Sequence, residues 1–190
     1  KKEDETDIHN LNRKALGMSH ITRDMAKTFI YAFLLGAGNA KIAQILKVNQ
    51  KEAGQAVDNF MESIEGLSKL KKKRIPEIAS RGWFKGLDGR KVKVPSQHKT
   101  LAGMLQNGES VIMKHAALQW VHRAKRQWID FRLVTWPHDE WQTEVTGEYK
   151  EAELLGEIQR QAIVDTGKNF NMICPLAGST DIGKNWRDPH

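Results

Sequence analysis

A proline-free stretch separates Pro95 from Pro137 and leaves room for one long helix. Proline removes a backbone N–H and clashes with the preceding turn, so its absence here permits continuous helical hydrogen bonding. Apolar residues recur at helical spacing, which predicts a helix from about His98 to Gln127. The predicted buried side of this helix consists of Leu101, Met104, Leu105, Ile112 and Ala116.

Helices and short antiparallel strands follow one another along the rest of the chain, which predicts a helix-rich α+β fold. Thr22 can cap a helix that starts near Ile21, and Gly36–Gly38 end it. Asp88-Gly89 predicts the turn of a hairpin. The hairpin is predicted to span residues 82–95. Further helices are predicted at 39–47, 51–73 and 150–164, and further strands at 131–136, 141–145 and 172–174. Residues 1–10 are predicted to form a poorly ordered or helical lead-in.

The net charge of +7 is unevenly distributed. Residues 41–114 carry fifteen Lys and Arg against seven Asp and Glu, whereas residues 137–190 carry five against ten. A basic middle and an acidic end indicate a polyanionic partner, or a solvated basic face with no partner. No apolar run is long enough to span a membrane, and the single Cys174 excludes an internal disulfide, which fits a reducing cytoplasm. The first residue is Lys1, so we expect a piece of a longer reading frame or a split product.

Arg23, Lys27 and Tyr31 are spaced four residues apart. At about 100° per residue they project from one face of a helix, opposite the apolar stripe that begins at Met25. Two cations one turn apart match the spread charge of a triphosphate, and a phenol can pack against a sugar or base. The alternative for this pattern alone is a solvated amphipathic helix.

His138, Asp139 and Glu140 lie between two predicted strands. A tight hairpin can hold a carboxylate rigidly at its tip, where it could bind Mg²⁺. Taken alone, this string is equally consistent with a polar turn.

Together, these two segments resemble family A DNA polymerases, in particular the replicative branch of short-tailed phages. The resemblance rests first on residues 23–31, followed by Gly36-Ala37-Gly38, which are similar to the family's fingers helix. It implies that Arg23 and Lys27 grip the incoming triphosphate, that His9 adds a phosphate contact and that Tyr31 lies beneath the sugar. Residues 1–80 would form the fingers and residues 81–190 the C-terminal palm portion.

The strand–HDE–strand segment resembles the family's palm motif. The resemblance implies that Asp139 and Glu140 bind metal, that His138 supports the primer end, and that two Mg²⁺ ions assist nucleotidyl transfer. In the family, a second aspartate lies in a D-x-S-x-x-E-L-R-like strand roughly thirty residues before the position of Asp7. No such string occurs here, so we expect the isolated chain to be inactive.

Further matches and departures complete the resemblance. Residues 86–92 are similar to the family's G-L-D-G-R-K hairpin, which makes Arg90 and Lys91 candidate DNA contacts. Gln106 would test the minor groove of the nascent pair, and His98 occupies a matching position upstream. The end of the chain, residues 183–186 with the final His190, is similar to that of the phage branch. The departures are Leu35, where a Tyr is usual, and Ala102, where an Asn is usual.

We therefore expect a DNA-directed DNA polymerase, a nucleotidyltransferase of DNA replication, in the cytoplasm of a cell or host. Its partners would be primer-template DNA, dNTPs and the N-terminal part of the polymerase. Both sets of side chains are predicted to serve one bound nucleoside triphosphate. Two alternatives stay open, a non-catalytic DNA-binding remnant and one half of a split polymerase.

Overall fold

The computed structural model describes residues 7–64 and 66–188. Two compact units divide the chain: the first reaches Gly86 and includes Arg90–Leu105, and the second comprises Leu87–Gly89 and the residues from Gln106 onward. Helices predominate, and the strands form two separate antiparallel pairs. The predicted α+β class is confirmed. None of the described helices is long and apolar enough to cross a membrane.

Four helices surround the core of the first unit: α1 (Ile8–Ala15), α2 (Arg23–Leu34), α3 (Asn39–Leu46) and α4 (Gln50–Ser63). Three phenylalanines fill its centre, with ring centroids 5.1 Å apart for Phe29 and Phe60, and 5.4 Å apart for Phe33 and Phe60. Burial of these rings, together with Leu16, Ile42 and Leu46, supplies the hydrophobic stabilisation of the unit. The predicted lead-in is helical from Ile8, while its first six residues lie outside the described ranges.

The single helix predicted over residues 51–73 is wrong. Helix α4 ends at Ser63, because Ile64 is extended and Gly66 has a φ of +80°. The chain resumes as α5 (Leu67–Lys69), a π-helical segment (Leu70–Arg74) and α6 (Ile75–Arg81). Pro76 lies near the start of α6, where its missing N–H is tolerated because the wider π turn precedes it.

A short hairpin follows α6, as the Asp88-Gly89 signal predicts; its strands belong to the first unit and Leu87–Gly89 of its turn to the second. Strand β1 (Trp83–Lys85) pairs with β2 (Lys91–Lys93), and Trp83 lies opposite Lys93. Gly89 has a φ of +84° in the turn, a conformation that favours glycine.

Helix α7 (Gln97–Arg126) confirms the long helix predicted between the two prolines, and from Gln106 it belongs to the second unit. Its buried side is only partly as predicted. Leu101 and Ala116 are buried, but Leu105 is 49% exposed, and Val111 and Met113 are buried instead.

The second unit packs β3 (Phe131–Thr135), β4 (Gln142–Val145) and α8 (Tyr149–Asn169) around the fully buried Trp120. The centroid of its ring system lies 5.0 Å from that of Phe131 and 5.7 Å from that of Trp141. The strand predicted at 172–174 is absent: no described strand pairs with this segment, and Ile173 is fully exposed. His190, which belongs to the segment that resembles the end of the phage branch, lies outside the described residues.

Candidate functional site

Helix α2 buries one side and exposes a cationic side. The hydroxyl of Thr22 accepts a hydrogen bond from the Met25 N–H at 3.2 Å, so the predicted cap forms. Ala26, Phe29 and Phe33 face the core. Lys27 and Tyr31 are exposed, Tyr31 by 55%, and the Arg23 side chain is 26% exposed. The packing of the aromatic side therefore fixes which residues are presented to a ligand.

Asp7 links α1 to α2. Its carboxylate caps α1, accepting from the His9 N–H at 2.9 Å and the Asn10 N–H at 3.1 Å. It also accepts from the Nε of Arg23 at 3.1 Å and from the Nη2 at 2.9 Å. The hydrogen bond from Arg23 lowers the pKa of the Asp7 carboxyl below its usual value, against the opposing effect of desolvation.

His9 lies in the first turn of α1, so Asp7 connects two of the predicted phosphate contacts within one unit. The Nδ1 atom of His9 is buried and has no hydrogen-bond partner among the described residues. Asp7 belongs to a segment, Asp7-Ile8-His9, that resembles the one before the family's fingers helix, but the sequence predicted no role for it, although an Asp directly before a helix start is a capping signal.

The predicted carboxylate tip forms between β3 and β4. The Glu140 N–H donates to the Pro137 carbonyl at 3.0 Å, and Trp136 Nε1 donates to the His138 carbonyl at 3.2 Å. His138 has a φ of +48°, as expected where a chain reverses tightly. The backbone of the tip is thus held by its own hydrogen bonds.

The side chains of His138, Asp139 and Glu140 are exposed at this tip. Gln142 Nε2 donates to Glu140 Oε1 at 2.5 Å, which orients that carboxylate. Carboxylate oxygens are the donors that Mg²⁺ prefers, so the chemistry of this pair fits a hard divalent cation. Among the residues that the structure describes, no group of three His, Cys, Asp or Glu side chains could hold a metal ion. The two carboxylates of the tip do not by themselves make up such a group.

The predicted DNA contacts fall on the β1–β2 hairpin and on α7. Lys91 Nζ lies 4.7 Å from the centroid of the Trp83 ring, and Arg81 Cζ lies 4.4 Å from it. Arg90 is exposed before β2, His98 is exposed in the first turn of α7, and Gln106 is exposed two turns further on. The placement of two cations beside the part-buried ring of Trp83 was not predicted from the sequence.

The two units divide the predicted residues between them. The first contains His9, Arg23, Lys27 and Tyr31, with Arg90, Lys91 and His98, and the second contains Gln106, His138, Asp139 and Glu140. A shallow groove of the second unit, beside Glu153, Arg160 and Thr180, contains none of them.

The family model for DNA polymerase family A matches residues 2–188. The chain belongs to DNA polymerase family A. This confirms the resemblance that the α2 and HDE segments indicate.

Relatives of this family A chain include phage enzymes. It is 34% identical over 98% of its length to the DNA-directed DNA polymerase of Escherichia phage Phieco32, and 31% identical over 97% to that of Enterobacteria phage T3. The chain spans 31% and 29% of these two polymerases.

The fold agrees with that of a solved polymerase domain. The POL domain of Pol1 from M. smegmatis, in complex with DNA primer-template and dNTP, matches with a TM-score of 0.72 and 18% identity. The match covers 83% of this chain and 30% of that structure. At this identity the likeness concerns the fold alone, so the roles of individual residues depend on the geometry above.

Proposed function

We propose that this family A chain is the fingers and C-terminal palm portion of a DNA-directed DNA polymerase, which adds dNTPs to a primer end under the direction of a template. The observation that carries the proposal is the division of α2 between a buried aromatic side and an outer side with the part-buried Arg23 and the exposed Lys27 and Tyr31. Fingers would comprise residues 1–80 and the palm portion residues 81–190.

The triphosphate would bind to the cationic side of α2. Lys27 offers an exposed point charge and Arg23 a fork of N–H donors, both suited to phosphate oxygens. His9 would add a third contact, and Tyr31 would pack against the sugar. Phosphoryl chemistry gains mainly from such positioning and charge neutralisation, which makes Arg23 and Lys27 catalytic as well as binding residues.

Asp139 and Glu140 would hold Mg²⁺. When bound, this ion would neutralise negative charge on the phosphate that is transferred. Since these are two carboxylates on one turn, we propose that the further carboxylate of a two-ion site comes from the portion of the polymerase that this chain does not span. His138, on the same turn, would contact the primer end. The isolated chain would therefore bind ligands without catalysing extension.

The duplex would lie against the basic β1–β2 hairpin and α7. Arg90 and Lys91 would contact the backbone, and His98 would lie beside them. Gln106 would donate to the minor-groove acceptors that every base pair offers, which suits an enzyme that copies any sequence. Such a polymerase would work in the cytoplasm that contains its DNA, a host cytoplasm for a phage enzyme.

A chimaeric polymerase tests the proposal. Residues 7–188 would replace the matching segment of the phage T3 relative, and primer extension would be measured. We expect activity in the chimaera, and a loss of about a thousandfold or more on Asp139→Ala, since several kcal/mol of charge stabilisation disappear. Activity that survives Asp139→Ala would contradict the metal role.

The triphosphate role has its own control within the first unit. Lys27→Ala should raise the KM for dNTP. Lys41→Ala removes a charge that is also exposed, from α3, and should leave the KM unchanged. A chimaera that binds DNA but never extends a primer would favour the alternative of a non-catalytic remnant. The departures from the family pattern at Leu35 and Ala102 are the sequence features that favour this alternative. Extension on mixing the separate chains would favour a split polymerase.

A further inference from the structure

Asp7 uses one carboxylate for two tasks. Oδ1 accepts from two backbone N–H groups of α1 and from Arg23 Nε, while Oδ2 accepts from Arg23 Nη2. The first task stabilises the start of the helix that carries His9. The second fixes the guanidinium at the start of the helix that carries Lys27.

The geometry of the Arg23 contact leaves a defined part of the guanidinium for another anion. A guanidinium has one edge formed by Nε and Nη2 and another formed by the two terminal nitrogens. Asp7 occupies the first edge. On the second edge, Nη1 lies 3.8 Å from Asp24 Oδ1, which is longer than a hydrogen bond, and the Asp24 side chain is 92% exposed. A phosphate oxygen could therefore bind the terminal edge without displacing Asp7.

The carboxylate is charged whenever such a ligand would bind. The hydrogen bond from Arg23 lowers the pKa of Asp7, and the same contact raises the pKa of Arg23. The pair therefore stays ionised at neutral pH, with the orientation of the guanidinium held by two charge-assisted hydrogen bonds.

We propose that Asp7 is a positioning residue of the nucleotide site, which holds the Arg23 guanidinium with its terminal edge directed to the triphosphate. This inference rests on the proposed function of Arg23. Asp7 does not touch the ligand in this arrangement; it acts through Arg23.

Asp7→Asn separates the two tasks. Asparagine caps helices well and keeps an oxygen for the α1 N–H groups, but its amide nitrogen cannot accept from Arg23 Nη2. Calorimetric titration of the 190-residue chain with inorganic tripolyphosphate should show affinity lowered about tenfold, the equivalent of one charge-assisted hydrogen bond. The Tm should fall modestly, because Arg23 loses an ionised partner, so the affinity is measured well below the Tm of the variant.

A matched control removes an Arg–Asp pair elsewhere. Asp165 accepts from Arg123 Nη2 at 2.8 Å and is similarly part-exposed, in the second unit. Asp165→Asn should leave tripolyphosphate affinity unchanged. An equal loss in both variants would overturn the proposal, because it would indicate a general effect of charge or stability.

The Arg23→Ala background distinguishes positioning from a structural role. Without a guanidinium to orient, Asp7→Asn should cause no further loss of affinity, whereas a structural role predicts the same fold-loss in both backgrounds. Wild-type or tighter binding by Asp7→Asn alone would overturn the proposal while leaving the function of α2 intact. Failure of the wild type to bind tripolyphosphate would overturn the triphosphate role and this inference together. Binding that neither Arg23→Ala nor Lys27→Ala weakens would do the same.

Discussion

A Cβ atom on residue 36 would lie 2.2 Å from the carbonyl oxygen of His98, so Gly36 and His98 are in direct backbone contact. Gly36 ends the turn after α2 and has a φ of +86°. His98 lies in the first turn of α7. The absence of a side chain at position 36 thus lets the end of α2 approach the start of α7 within the first unit.

Serine substitutions at the two glycines of this turn should have opposite effects. Gly36→Ser introduces both a left-handed strain and a clash with backbone, which together cost about 2–4 kcal/mol of unfolding free energy. Gly38→Ser is the matched control, because a Cβ there has no neighbour within 4 Å and residue 38 caps α3 without a side-chain hydrogen bond. Serine at that cap should add about 0.3 kcal/mol. Urea unfolding measures both, and equal stability of the two variants would contradict the contact.

The ion pair between Arg123 and Asp165 should make the second unit sensitive to acid. Hydrogen bonds from Gln161 and Arg123 lower the pKa of Asp165, against the opposing effect of desolvation. Because the pKa is lower in the folded state, the stabilisation is present above the unfolded value of about 3.9 and is lost as the pH falls through the folded value. The Tm difference between wild type and Asp165→Asn should therefore be constant near neutrality and shrink below about pH 4.

Glu157→Gln provides the control for this titration. Glu157 also pairs with an arginine of α8, Arg160, but both side chains are about half exposed. Exposed pairs contribute little, so the variant should follow the wild type across the pH range. If the Tm difference between the wild type and Asp165→Asn persists unchanged at low pH, the effect of the substitution comes from the packing of the amide and not from the ion pair.

Local signals in the sequence predicted much of the site. The Thr22 cap, the Asp88-Gly89 turn and the HDE turn each depend on neighbours within a few residues, and all three form as expected. The side of α2 that faces the core follows from helical spacing, because the buried aromatic residues lie one turn apart. Membership of the polymerase family was likewise predicted from the order of these segments.

Features that depend on distant contacts were not predicted. Arg23 and Asp7 are sixteen residues apart, and only the packing of α1 against α2 brings them together. The end of α4 at Ser63 was missed because Ile64 continues the apolar rhythm of a helix while its backbone is extended. Leu105 matched the period of a buried side, yet about half of it is exposed.

The affinity of the chain for duplex DNA should depend on salt through the β1–β2 hairpin. Each phosphate contact contributes about 0.9 to the slope of log affinity against log salt. Lys91→Ala should lower the slope by about 0.9 in fluorescence anisotropy between about 50 and 200 mM KCl. Lys150→Ala, which removes an exposed charge at the start of α8, should not change the slope. An unaltered slope for Lys91→Ala would exclude Lys91 from the DNA contact. As a control, an unchanged Tm of the Lys91→Ala variant would show that the hairpin persists without the contact to Trp83.

A ring restored at position 35 should improve copying accuracy. Leu35 follows α2 and is 59% exposed, so a larger side chain meets no core packing there. The family usually has a Tyr at this position, and stacking on a templating base would favour correct over mispaired geometry by about 1 kcal/mol, or roughly fivefold in error frequency. Leu35→Tyr in the chimaeric polymerase should lower misincorporation, while Leu118→Tyr, at a position of α7 that is 73% exposed, should not. Because both variants add the same exposed ring to a helical region, equal error frequencies would mean that the residue after α2 does not contact the nascent pair.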